Sequence, residues 1–145
     1  MLNPEATLLN VKLFHDQTGE VQTPMPDASI TQMVTLINTP RDARYIVYGG
    51  KHAMYLGRKG SHYYFMDPNG AQIEYSDVNT LREALTCSIS TPGVARQYGA
   101  QLQPQVTYRI HRIDAERAAA VGIKDYGKTI DDYSRKRFGS GAANE

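Results

Sequence analysis

The stretch Lys51–Tyr75, KHAMYLGRKGSHYYFMDPNGAQIEY, constrains this chain more than any other, because it reads as two β-rich runs joined by a glycine-containing turn. As a hairpin, Lys51–Gly57 pairs with His62–Pro68 across the four-residue turn Arg58–Ser61. In that register Gly57 faces His62, and His52 faces Asp67 directly. Opposed residues on one sheet face have Cβ atoms about 5 Å apart. An imidazole so placed can donate a hydrogen bond to a carboxylate that fixes its tautomer, the base–orienter half of a catalytic triad. The same pair also has a plain structural reading. It would close the hairpin as a satisfied contact, with Asp67 bonding the turn backbone ahead of Pro68.

Met54, Leu56, Tyr63 and Phe65 share the face of His52 and Asp67, while Ala53, Tyr55, His62, Tyr64 and Met66 take the other. The pair is therefore expected at the open end of an apolar face, where partial desolvation strengthens a hydrogen bond. The chain has ten Tyr against three Phe and no Trp. Tyrosine suits a pleated, half-buried surface, with its ring packed and its hydroxyl wet.

Along the rest of the chain, Thr7–Phe14 is apolar enough for a strand or a short helix. Gly19, Pro24 and Pro26 make Asp16–Asp27 a loop. Asp27 or Ser29 caps a helix with the stripe Ile30, Met33, Val34 and Ile37, ended by Asn38, Thr39 and Pro40. Arg44–Tyr48 is a strand, Gly49-Gly50 a break, Pro68-Asn69-Gly70 a turn, and Ala71–Tyr75 a further strand. Asp77 or Asn79 caps a helix over Thr80–Ser88. A loop with Pro92, Gly93, Gly99 and Pro104 precedes Gln105–Ile113, which alternates strictly. Val106, Tyr108, Ile110 and, by the same alternation, Arg112 fall on one face, Thr107, Arg109, His111 and Ile113 on the other. Asp114 caps a short helix to Val121, and a last helix is expected over Thr129–Phe138. The order predicts an α+β fold, an antiparallel β-meander packed with helices. Residues 1–121 are expected as one domain, with 122–145 an appendage whose tail from about 139 is disordered.

Composition narrows the function classes. The 145 residues suffice for one domain, and 41% hydrophobic with 21% charged content describes an ordinary globular protein. A net charge of +1 gives no reason to expect nucleic acid as a partner. The single cysteine, Cys87, precludes an intrachain disulfide and a cysteine-rich zinc site. His15, His52, His62 and His111 have neither HxH nor HxxxH spacing, so no metal site is expected. The glycines form turns rather than a phosphate loop, and no cofactor motif is present. No apolar run approaches about 20 residues, so neither a membrane span nor a cleavable signal peptide is expected.

The run His52-Ala53-Met54, the turn, and then Tyr64-Phe65-Met66-Asp67-Pro68-Asn69-Gly70 resemble the C-terminal half of the YopT/AvrPphB-type cysteine peptidases, papain-like bacterial effectors. A helix ahead of the histidine strand, and a short strand and helix behind the aspartate, extend the resemblance over Ser29–Ser88. It implies a papain-like half-fold, with His52 as catalytic base and Asp67 as the carboxylate that orients it. It also implies a protein substrate, and a bacterial cytoplasmic origin with export by a specialised secretion system into a host cell. In that family the nucleophilic cysteine opens a helix upstream of the histidine. No residue before His52 here is cysteine, and Ser29, at a cap position, is the nearest substitute.

Cys87 offers a permuted nucleophile. Reactive cysteines favour helix N-termini, whereas Cys87 falls near the C-terminal end of its predicted helix, where core packing is expected. Two functions follow. One is a cysteine peptidase or acyl-transfer domain carrying the His–Asp part of a triad, its nucleophile supplied by another segment or a second chain. The other is a catalytically inactive, peptidase-like module that binds protein as an adaptor or secretion chaperone, using an exposed tyrosine-rich sheet face.

Overall fold

Six antiparallel strands and four helices account for most of the described residues of this computed structural model, which are 19–49, 52–67, 73–75 and 77–122, the side chains of His52, Ile73 and Glu74 excepted. The strands are β1 (Gln22–Ala28), β2 (Ala43–Gly49), β3 (His52–Lys59), β4 (His62–Met66), β5 (Ile73–Tyr75) and β6 (Tyr108–Ile113). They form one sheet in the order β1-β6-β2-β3-β4-β5. The helices are α1 (Ile30–Ile37), α2 (Val78–Ile89), α3 (Pro92–Gln97) and α4 (Ala115–Ala120). The expected α+β class and the meander β2–β5 are both present. The expectations for Thr7–Phe14, His15, Gly50, Pro68-Asn69-Gly70, Thr129–Phe138 and the tail fall outside the described residues.

Helix α1 begins where Ser29 accepts a hydrogen bond from the Gln32 N–H and the Gln32 side chain accepts one from the Ser29 N–H. This reciprocal capping box satisfies two donors that have no partner inside the helix. Met33, Val34 and Ile37 then bury the predicted stripe. Asp77 caps α2 by accepting from the Asn79 N–H, and Leu81, Leu85 and Ile89 point inward. These two helices cover the face of the sheet that carries Tyr45, Val47, Met54, Leu56 and Phe65. Asp114 caps α4 as expected, and Ala118 packs with Ile46, Tyr55, Tyr64 and Ile113 against the other face.

Four expectations are corrected. Gln22–Ala28 is not loop but strand β1, which pairs with β6 and lies at the end of the sheet order. Pro24 and Pro26 are tolerated because β1 is an edge strand, and its register with β6 shifts between Met25 and Ala28, where Pro26 lies. The stretch around Pro92 contains α3, because Pro92 sits in its first turn, where an N–H would have no helical partner. The β3–β4 hairpin turns through two residues, Gly60-Ser61, with Lys59 opposite His62 and Arg58 opposite Tyr63. Finally, Tyr55 and Tyr64 are fully buried, so the tyrosine-rich face of the sheet is core rather than an exposed surface.

Candidate functional site at the end of the sheet

Both proposed site residues belong to one end of the sheet, though not in the predicted opposition. β2 and β3 are paired from Ala43 opposite Arg58 to Gly49 opposite His52. In the β3–β4 ladder Tyr55 faces Met66. One step further in that register puts Asp67 across from Met54, two residues short of His52. The shift from the expected pairing is an even number of residues, so it changes partners without exchanging faces. The relation between positions 52 and 67 is therefore diagonal, with Cβ separations of about 7 Å for such neighbours.

Asp67 is a buried carboxylate, 8% exposed. The Tyr98 hydroxyl donates to its Oδ2 at 3.2 Å. Tyr98 arrives from α3, whose C-terminal end passes over β2. A Cβ added at Gly49 would lie 2.8 Å from Tyr98 Cβ and 2.9 Å from its Cγ, so the ring rests on bare backbone there. Gly49 is the residue paired with His52. Beside them Tyr108, the first residue of β6, is 1% exposed and donates its hydroxyl to the Ile89 carbonyl at 2.7 Å. Its phenol is pushed up to about 12, chiefly by burial and further by the neighbouring Tyr98 and Asp67. Desolvation disfavours the phenolate, and adjacent negative charge adds to that cost. A buried acid, two tyrosines and the histidine-bearing end of β3 thus converge on one corner.

The sequence reading paired Asp67 with His52 and did not place Gly49, Tyr98 or Tyr108 beside them. Only Tyr98 left a local signal, since Gln97-Tyr98-Gly99 resembles a helix terminus. Its contact with Asp67 spans 31 residues of chain, which no local pattern reports.

The remaining candidates separate from this corner. Cys87 is exposed, contrary to the expected core packing. It follows the buried Leu85 by two residues, about 200° around the helix, on the solvent side. Ser29 is occupied as the cap of α1. His62 packs edge-on to Tyr64, with ring centroids 6.4 Å apart. His111 shares Gln22 Oε1 with the Tyr48 hydroxyl, at 2.9 Å and 2.7 Å. No cluster of three or more His, Cys, Asp or Glu able to hold a metal occurs among the described residues.

A cavity of about 380 Å³ adjoins the corner, walled by Gly99–Gln101, Tyr48, Thr107, Arg109 and Asp27. The Arg109 guanidinium stacks on the Tyr48 ring, 4.3 Å from its centroid. No helix among the described residues is long and apolar enough to cross a membrane.

The family model of the Mcf1 protease effector domain matches residues 12–138. A comparison with curated proteins gives no match. The sequence resemblance thus holds at the level of a protease effector domain.

Proposed function

The chain belongs to the Mcf1 protease effector domain family, and from that premise we propose that it carries the histidine–aspartate part of a papain-like cysteine peptidase acting on protein substrates. The observation that carries this reading is the buried, hydrogen-bonded Asp67 beside the strand end that bears His52. Aspartate is seldom buried unless it is paired or functional, since removing a carboxylate from water is costly. In this reading Asp67 orients His52, and His52 takes the proton from a thiol as the thiolate attacks the scissile carbonyl. His52 then returns that proton to the leaving amine. The thiol comes from a segment or chain other than the stretch before His52, which contains no cysteine. The YopT/AvrPphB-type layout of histidine strand, hairpin and Asp-Pro-Asn run supports a papain-like arrangement.

The competing reading, an inactive peptidase-like binding module, draws on an exposed tyrosine face. Tyr55 and Tyr64 are fully buried, which removes that support.

The test uses the protein expressed from its natural reading frame, incubated with unfolded protein, with new termini mapped by mass spectrometry. His52→Ala and Asp67→Asn are each expected to cut the cleavage rate by roughly 10²–10⁴-fold, the usual contribution of a positioned acid–base. Cys87→Ser is expected to leave it unchanged. Cleavage that survives His52→Ala at the wild-type rate would sink the proposal, and cleavage lost in Cys87→Ser would move the nucleophile to α2.

A further inference from the structure

Tyr98 owes its place to the backbone around it. Its own N–H donates to the Val94 carbonyl at 2.9 Å, closing the last turn of α3. Gly99 follows at φ 71°, a left-handed conformation that suits glycine. The Gly99 N–H donates to the Arg96 carbonyl at 3.1 Å and the Ala100 N–H to the Ala95 carbonyl at 2.9 Å. Those two bonds make a Schellman terminus, and the fully buried Ala95 anchors it to the core. Position 98 is thereby fixed before its side chain makes any contact. The absent side chain of Gly49 then lets the ring lie against β2 at the residue paired with His52. From there the hydroxyl reaches Asp67 Oδ2.

An aspartate carboxylate needs such an anchor. Its terminal torsion is broad and roughly two-fold, so its orientation is set by hydrogen bonds as well as by packing. One hydrogen bond to Oδ2 narrows that rotation. A carboxylate has about four lone-pair sites, so it can accept from Tyr98 and still accept from an imidazole.

We propose that Tyr98 is a positioning residue: its hydroxyl sets the orientation of the Asp67 carboxylate, and through it the tautomer of His52, with Gly49 present to admit its ring. This inference rests on the His52–Asp67 reading above, and goes beyond it by assigning a third residue, from a different element.

The experiment reads the His52 ring by ¹⁵N nuclear magnetic resonance in the intact chain, which requires no substrate. In the wild type one tautomer is expected to predominate. Asp67→Asn tests the dyad, Tyr98→Phe removes only the hydroxyl, and Gly49→Ala displaces the ring by a second route. Tyr98→Phe and Gly49→Ala are each expected to change the His52 tautomer ratio by roughly tenfold, the effect of one net hydrogen bond. Thermal melts establish that each variant is folded. If Tyr98→Phe gives the wild-type His52 spectrum while Asp67→Asn does not, the positioning role is overturned and the dyad stands. If Asp67→Asn also gives the wild-type spectrum, the dyad reading itself has failed. Loss of the fold in Tyr98→Phe would make the bond structural and overturn the assignment as well.

Discussion

Gly57 shows how a single missing side chain can decide a packing arrangement. Tyr55, two residues earlier on the same strand face, folds its fully buried ring across Gly57. A Cβ at Gly57 would overlap the Tyr55 hydroxyl and the adjoining ring carbons. Because Tyr55 is enclosed with Ile46, Tyr64, Met66 and Ile113, its ring has no empty volume to move into. Gly57→Ala is therefore expected to destabilise the protein by about 1–3 kcal/mol, the usual cost of overpacking a core. Urea denaturation checks this, and an unchanged midpoint would mean that the ring can yield. The sequence marked Gly57 as the last strand residue before the turn. Its actual use, admitting a ring from its own strand, depends on which face is buried.

Among the elements, the β3–β4 hairpin separates what a local pattern can settle from what it cannot. Two-residue and four-residue turns both fit Arg58-Lys59-Gly60-Ser61, and they differ by an even shift that preserves faces. The shorter turn prevails through contacts on either side of it. The Arg58 guanidinium lies 5.0 Å from the centroid of the Tyr63 ring, and Tyr63 is its cross-strand partner. Arg58 Nε donates to the Gly60 carbonyl, and the Gly60 N–H donates to Asp42, the residue before β2. Gly60 adopts φ 63°, as tight hairpin turns require. Helix α1, in contrast, was legible in its stripe, and its cap was narrowed to Asp27 or Ser29, of which the structure uses Ser29. Ser29→Ala should cost about 1 kcal/mol by removing one side of the capping box. A smaller loss on Gln32→Ala, measured the same way, would agree with a reciprocal pair.

For the whole molecule, burial of Tyr75 and Tyr108 in the core beneath the helices links stability to alkaline pH. The Tyr75 phenol is pushed up to about 12 by burial, as is that of Tyr108. In the unfolded chain these groups ionise near 10. Below about pH 10 both states hold the phenolic protons, and stability does not depend on them. Between about pH 10 and 12 the unfolded chain releases protons that the folded chain retains, so stability falls as pH rises. Equilibrium denaturation at pH 8, 10 and 11.5 should show a level region followed by a decline. Tyr108→Phe should lower stability at pH 8, through the lost bond to Ile89, yet flatten the alkaline slope. A stability that stays level to pH 12 in the wild type would contradict this account.

The sequence by itself determined the strand and helix types wherever alternation or a cap was local, and it determined the parity of β3 and β4. Parity is a property of one strand and survives an even error in pairing, so His52 and Asp67 were assigned to one face although their opposition was not. Tertiary structure contributed to the register, because the two-residue turn is held by Asp42 from outside the hairpin as well as by Tyr63 across it. It also turned Pro24 and Pro26 into edge-strand residues by supplying β6 as a partner on one side only. Tyr98, Gly49 and Asp67 meet for the same reason. Three residues far apart in the chain come together only when α3 closes over the end of a finished sheet.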